Sequence, residues 1–231
     1  GEGVEMWVMR HGERVDEVDA GWVEKSARPF DPPLSEKGLV QAFDKGVTLR
    51  AKGVSFSAVA SSPFLRCVQT AHALLRGMQD EHTPIHRDYG LSEVLSTRNM
   101  HGRAPDFLSP DELAGGDQIL LKRLEGWEVD GDVAPPSYPE TLEGAAARHA
   151  TAIARVAGRF GRNGKAVAAV SHGDAVAVFV GVCLNIRKDD VYAVPHCSHA
   201  AARLSGSCLS ASSKWEEPDV DETIGVMILS D

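Results

Sequence analysis

Val4-Glu5-Met6-Trp7-Val8-Met9-Arg10-His11-Gly12-Glu13-Arg14 opens the chain with a short apolar run that breaks on a cluster of titratable residues. Six such residues have the length of a buried strand, and chemistry begins where the strand stops. The pattern returns in Lys165-Ala166-Val167-Ala168-Ala169-Val170-Ser171-His172-Gly173-Asp174. Both runs meet a His-Gly dipeptide at the carboxyl end of the strand. In open α/β sheets the ligand crevice lies at those ends, so His11 and His172 can meet in space although distant in sequence.

Working outward, 56–60 reads as another strand, followed at once by Ser61-Ser62-Pro63. A serine cap and a proline near the first helical position put Arg66 in the first turn of a helix ending near Gly77. Ser35 caps a second helix whose Leu39, Ala42, Phe43, Val47 and Leu49 keep a rough helical period until Gly53. Thr141 caps an alanine-rich helix over 142–160, and 175–184 forms an apolar one. Further strands are expected at 85–87, 200–204 and 224–229. Strands alternating with helices predict an α/β fold, a three-layer α/β/α sandwich with a mostly parallel central sheet. We read 1–231 as a single domain in which the irregular stretch 89–138 is a cap-like insertion over the active site.

Composition narrows the function. With 24 Lys plus Arg against 33 Asp plus Glu among 231 residues, the net charge is −9. A nucleic-acid partner is therefore not expected, since affinity for a polyanion comes from neutralising phosphates. The most apolar stretch, 175–184, is well short of the roughly 20 residues that span a bilayer, so no membrane partner is expected either. Gly1-Glu2-Gly3-Val4-Glu5 has neither the basic nor the apolar region of an export signal. Cys67, Cys183, Cys197 and Cys208 contain no Cys-x-x-Cys pair. Reduced thiols and a cytoplasmic setting are the expectation.

The strand ends collect Arg10, Arg14, Arg66, His11 and His172. Three guanidiniums beside a helix N-terminus suit a dianionic phosphate, because arginine forks bind its oxygens and the helix end adds N–H donors. Arg66 in a first helical turn opposes the macrodipole, a conflict that an anionic ligand relieves. The same cations disfavour imidazolium and leave His11 a neutral nucleophile, and they repel a divalent metal. Covalent phosphoryl transfer follows: an imidazole attacks phosphorus, the cations stabilise the equatorial oxygens, an acid protonates the leaving oxygen, and water releases the phosphate. Glu93 is the best-placed acid, with Glu13 and Asp174 the other candidates.

These motifs, with Ser62-Pro63-Phe64-Leu65-Arg66-Cys67-Val68-Gln69-Thr70-Ala71 between them, resemble the histidine phosphatase, or phosphoglycerate mutase-like, superfamily over nearly the whole chain. Arg10 to Asp16, Asp31-Pro32-Pro33-Leu34-Ser35 and Leu65 to Ala71 look most like the phosphatase domain of suppressor-of-T-cell-receptor-signalling proteins and like ecdysteroid-phosphate phosphatases. The resemblance implies His11 as phosphorylated nucleophile, Arg10, Arg14, Arg66 and His172 as phosphate pocket, Glu93 as proton donor, and no metal or organic cofactor. Phosphoglycerate mutases carry Ser and Asn where this chain has Arg14 and Glu17, which weakens the mutase alternative. A non-catalytic phospho-ligand scaffold is a further alternative. Acid phosphatases place Asp directly after the second His, whereas here Gly173 intervenes before Asp174.

The substrate expected is a phosphorylated small molecule or a phosphotyrosyl protein, and a homodimer is left open. His196 and His199 have His-x-x-His spacing without other clustered ligands, a weak metal signal, although His196 can approach the pocket rim. Trp7 reads as core; Trp22, Phe30 and Trp127 fall in loops where they either pack or line a pocket mouth. The acidic stretch 216–222 reads as a solvated loop.

Overall fold

A computed structural model describes residues 3–127, 134–161, 165–205 and 227–228. The strands are β1 (Gly3–Arg10), β2 (Phe56–Ser61), β3 (Ile85–Arg87), β4 (Ala166–Ser171), β5 (Val191–Ala193), β6 (His199–Ser205) and β7 (Met227–Ile228). The helices are α1 (Trp22–Lys25), α2 (Glu36–Ala51), α3 (Leu65–Gly77), α4 (Pro110–Ala114), α5 (Gln118–Arg123), α6 (Leu142–Phe160) and α7 (Gly173–Leu184). Five strands form one sheet in the order β3-β2-β4-β1-β6, with β6 antiparallel to β1 and the other pairings parallel. β5 and β7 make a separate antiparallel pair. The expected 224–229 strand is represented by 227–228, and the 216–222 stretch and Cys208 lie outside the described residues. β5 is an element that the sequence reading did not assign.

Alternation across the pleat makes the layers. Trp7 and Met9 of β1, with Ala168 and Val170 of β4, face the core shared with α3. Met6 and Val8, with Val167 and Ala169, face the core shared with α6 and α7. Both faces are covered, as a mostly parallel sheet requires. Trp7 is core as expected, and Trp127 is buried in the α3-side cluster with α4 and α5. The 89–138 stretch thus divides. Its 110–127 part packs on the core, while Leu95, Met100, Phe107 and Tyr138 join Phe30 and Phe64 in a separate cluster.

Helix α2 corrects the expected apolar face. Ser35 caps it, accepting a hydrogen bond from the Gly38 N–H. Its buried residues are Gly38, Ala42, Gly46 and Leu49, whereas Leu39, Phe43 and Val47 are exposed. Backbone approach explains the difference. A Cβ on Gly46 would lie 2.0 Å from the Leu74 carbonyl oxygen, and one on Gly77 2.0 Å from that of Phe43. The two helices meet through glycines, so the larger side chains are left on the outside. The start of α3 also differs from expectation: its cap is Phe64, with no side-chain cap bond, and Ser62 and Pro63 precede it.

The Gly46 contact gives a sign test. In an open helix Gly→Ala stabilises by about 1 kcal/mol. Here Gly46→Ala is expected to destabilise by about 1–3 kcal/mol, because α2 must move off α3. Denaturant unfolding reads the difference, with Val47→Ala on the exposed face expected to stay within about 0.5 kcal/mol of the parent.

Candidate functional site

The parallel strands deliver their carboxyl ends to one edge, and backbone bonds carry the ladder past them. The His11 N–H donates to the Ser171 carbonyl at 3.0 Å, the Ser62 N–H to Val170 at 2.9 Å, and the Asp88 N–H to Ser61 at 2.9 Å. Those loops therefore leave the sheet in fixed register. His11 and His172 emerge with ring centroids 5.3 Å apart, edge to face, and each is 1% exposed. The bond from His11 Nδ1 to the Gly12 carbonyl, 2.8 Å, places the proton on Nδ1 and the lone pair on Nε2. Gly12 is itself held by Thr70 of α3, whose hydroxyl donates back to the Arg66 carbonyl at 2.7 Å.

Arg66 is buried in the first turn of α3. Its Nη2 lies 3.3 Å from Glu93 Oε2 and 3.3 Å from His172 Nδ1, and its guanidinium covers the Phe64 ring at 4.6 Å. Buried Asp31 stands 3.8 Å from Nη1 and accepts the Leu65 N–H at 2.9 Å, tying the start of α3 to the loop before α2. His172 Nδ1 is 3.1 Å from Glu93 Oε2, and its Nε2 is 2.9 Å from Ser62 Oγ. A proton on Nδ1 facing the carboxylate leaves Nε2 to accept from the Ser62 hydroxyl. Arg10 donates from Nη1 to the Val194 carbonyl at 2.6 Å. The N-termini of both α3 and α7 open on this cluster.

Burial sets the protonation states. It lowers His11 well below the ordinary imidazole value, with the Arg66 and His172 charges adding to it. Desolvation leads and the cations named from sequence act in the same direction. His172 is pushed down to about 4, burial again leading against the opposing pull of Glu93. For Glu93, burial acts upward, but the bond and charge of His172 together with Arg66 outweigh it and hold the carboxyl well below its usual range. Glu93 is therefore ionised in the free protein, and serving as the acid requires that it gain a proton.

Of the other acid candidates, Glu13 faces α2, accepting from Ser35 Oγ at 2.8 Å and pairing with Lys37 Nζ at 2.8 Å. Asp174 is half exposed beside Lys188 at 3.6 Å. Neither reaches the histidines. Arg14 lies close enough to Arg10 to act on its charge, and its Nε and Nη2 fork onto Asp16, both at 3.0 Å, so it stands beside the cluster with a carboxylate of its own.

His196 does approach the rim, its ring 6.0 Å from that of His11 and its Nε2 3.1 Å from Glu17 Oε2. His199 instead stacks on Trp7 inside the sheet, so the His-x-x-His pair diverges. Donor atoms of His11, Glu93 and His172 lie within 4.8 Å of one another, a spacing that also suits a metal ion. Arg66 touches two of the three, and a fixed positive charge there selects an anion. Ser62 is a site residue that the sequence reading did not single out, and its place just past the end of a parallel strand is the signal that finds it. Cys67, Cys183 and Cys197 are buried thiols.

A family model, histidine phosphatase superfamily (branch 1), matches residues 6–207. The chain belongs to that superfamily. It is 27% identical to the ecdysteroid-phosphate phosphatase of Bombyx mori over 85% of this chain, and spans 35% of that protein's length. The crystal structure of the ecdysone phosphate phosphatase from the same organism, in complex with tungstate, superposes with a TM-score of 0.66 at 25% identity, covering 92% of this chain and 98% of that one. A phosphoglycerate mutase from Bacillus anthracis matches with a TM-score of 0.60 at 20% identity over 88% and 89% of the two chains, a likeness of fold. The chain is accordingly an α/β member of the histidine phosphatase superfamily, and the silkworm relative is a phosphatase. Among the described residues no helix is long and apolar enough to cross a membrane.

Because their folded-state pKa values are depressed, His11 and His172 are expected to stay neutral as pH falls from 8 through the ordinary imidazole range. Proton NMR titration of the free protein checks this. Ring resonances of both residues should show no imidazole-to-imidazolium shift as the pH falls through the ordinary imidazole value of about 6.5.

Proposed function

We propose that this histidine phosphatase is a metal-independent phosphomonoesterase that works through a phosphohistidine on His11. The observation that carries the reading is the tautomer of His11: a buried, neutral imidazole with Nδ1 committed to the Gly12 carbonyl and Nε2 left basic, beside Arg10, Arg66 and His172. In the first step the Nε2 lone pair forms an N–P bond while the ester P–O bond breaks. The leaving oxygen takes a proton from the Glu93 carboxyl. In the second, water attacks phosphorus, the N–P bond breaks, and the proton of the water returns to Glu93. Glu93 is ionised in the free protein, so it must first gain a proton, and a phosphate anion arriving beside it raises its proton affinity. A phosphate monoanion carries that proton in with it. Arg10, Arg66, His172 and the two helix N-termini stabilise the charge on the equatorial oxygens. The tungstate of the silkworm structure is an oxyanion of the same tetrahedral kind.

An apolar or aromatic alcohol is the leaving group that the surroundings favour. Phe64 stands edge-on to His172 at 5.5 Å and to Phe107 at 5.6 Å, and Phe107 meets Tyr89 at 5.1 Å. Phe30, Phe64, Leu95 and Met100 are buried, which leaves the partly exposed Phe107 and Tyr89 as apolar groups that a substrate can reach. A small phosphorylated metabolite with an apolar body suits such a surface, and the silkworm relative is an ecdysteroid-phosphate phosphatase. A cytoplasmic setting goes with this reading.

His11→Ala is expected to lose essentially all turnover of p-nitrophenyl phosphate while keeping the parent far-UV circular dichroism and melting behaviour. Wild-type turnover by that variant contradicts the assignment. Arg66→Ala should weaken orthovanadate inhibition by about 10-fold or more, the loss of a charge-assisted hydrogen bond of about 1.5–3 kcal/mol. Unchanged inhibition removes Arg66 from the phosphate pocket.

A further inference from the structure

Helix α6 grips the backbone that carries Glu93. Arg148 Nη1 donates to the carbonyls of Gly90 at 2.8 Å and Ser92 at 3.0 Å, and Nη2 to that of Glu93 at 3.0 Å. Its Nε donates to Glu140 Oε2 at 3.1 Å, and Nη2 also bonds Glu140 Oε1. Glu140 returns to the same segment, its Oε1 accepting from the Leu95 N–H at 2.8 Å and its own N–H donating to the Leu95 carbonyl at 3.1 Å. Two turns along the same helix face, Arg155 forks onto Asp88 at 3.1 and 2.6 Å, and Asp88 accepts the Gly90 N–H at 2.7 Å. His149 Nε2 adds a bond to the Ser92 carbonyl at 2.8 Å. Main-chain groups on both sides of Glu93 are therefore fixed, those from Gly90 to Glu93 by α6 and those of Leu95 by Glu140 just ahead of it. Arg148 alone satisfies three carbonyls that converge on it.

That grip lies behind the carboxyl, not in the pocket. Glu93 Oε1 accepts its neighbour's N–H, that of Val94, at 3.0 Å, which leaves Oε2 turned to His172 and Arg66. With the side chain so constrained, the position of its Cα decides where the proton is delivered. We propose that Arg148 is a positioning residue for Glu93: through Arg148 and Glu140, α6 holds the proton donor in line with the leaving oxygen. This inference rests on the reading of Glu93 as the acid. A group that acts through the acid must matter most where the leaving group needs a proton. A purely structural group affects all substrates alike.

The test compares kcat/KM for p-nitrophenyl phosphate, whose phenolate leaves unprotonated, with that for a simple alkyl phosphate. Glu93→Gln sets the reference, expected to lose about 10²-fold or more on the alkyl ester and far less on the aryl one. Arg148→Met should show the same selective loss, about 10-fold or more on the alkyl ester, with orthovanadate inhibition unchanged. Glu140→Gln, which keeps every Arg148 donor but loosens the guanidinium, should move the ratio in the same direction. In the Glu93→Gln background Arg148→Met should add nothing to the alkyl-to-aryl ratio, because both act on one proton transfer. Equal losses on the two substrates in Arg148→Met and Glu140→Gln, or a parent ratio in both, overturn the positioning role while leaving the acid in place. A parent ratio in Glu93→Gln itself overturns the acid reading and the clamp with it.

Discussion

The parallel pairing of β1 with β4 is the constraint on which the site depends. With Arg10 opposite Ser171, the next residue on each strand is a histidine, and the His11 N–H bond to the Ser171 carbonyl extends the ladder one step beyond the sheet. A slip of one residue would turn His11 to the other face and separate the two imidazoles. The pleat guards against that slip, because Met6 and Val8 belong to one core and Trp7 and Met9 to the other. The apolar alternation that stabilises the sheet thereby also aligns the catalytic pair.

Placing five titratable groups at one buried edge has electrostatic consequences that need each other. Desolvation keeps His11 and His172 neutral, and a neutral His11 is a nucleophile. Arg66 reinforces that neutrality and at the same time holds Glu93 ionised. Until an anion arrives, the charge balance is carried by Arg66 against Glu93 and Asp31. On the mechanism proposed above, an incoming phosphate would compete with Glu93 for Arg66 and raise the proton affinity of its carboxyl. The overall charge of −9 and the local arginines are compatible for the same reason: one phosphate group is selected locally while extended polyanions are repelled.

The layered fold, the paired strand ends and the placement of His11, Arg10, Arg66 and His172 were legible because they are local signals: apolar runs of strand length, each ending in a charged motif. Glu93 was legible as a residue but not in its ionisation, which depends on His172 and Arg66 arriving from other elements. The face of α2 was misread because apolar periodicity counts side chains, whereas α2 and α3 touch through Gly46 and Gly77. Arg14 was legible as a cation beside Arg10, whereas its fork onto Asp16 depends on side-chain geometry that the sequence does not give. Arg148 and Glu140 left no signal, since a guanidinium that binds main-chain carbonyls looks in sequence like any charge on a helix.

The central claim is that the phosphoryl group rests on His11 between two displacements, and the stereochemical course at phosphorus tests it most directly. Hydrolysis of an isotopically chiral phosphate monoester should give inorganic phosphate with net retention, the sum of two inversions. Net inversion would mean that water attacks the substrate directly, and would contradict the covalent role of His11.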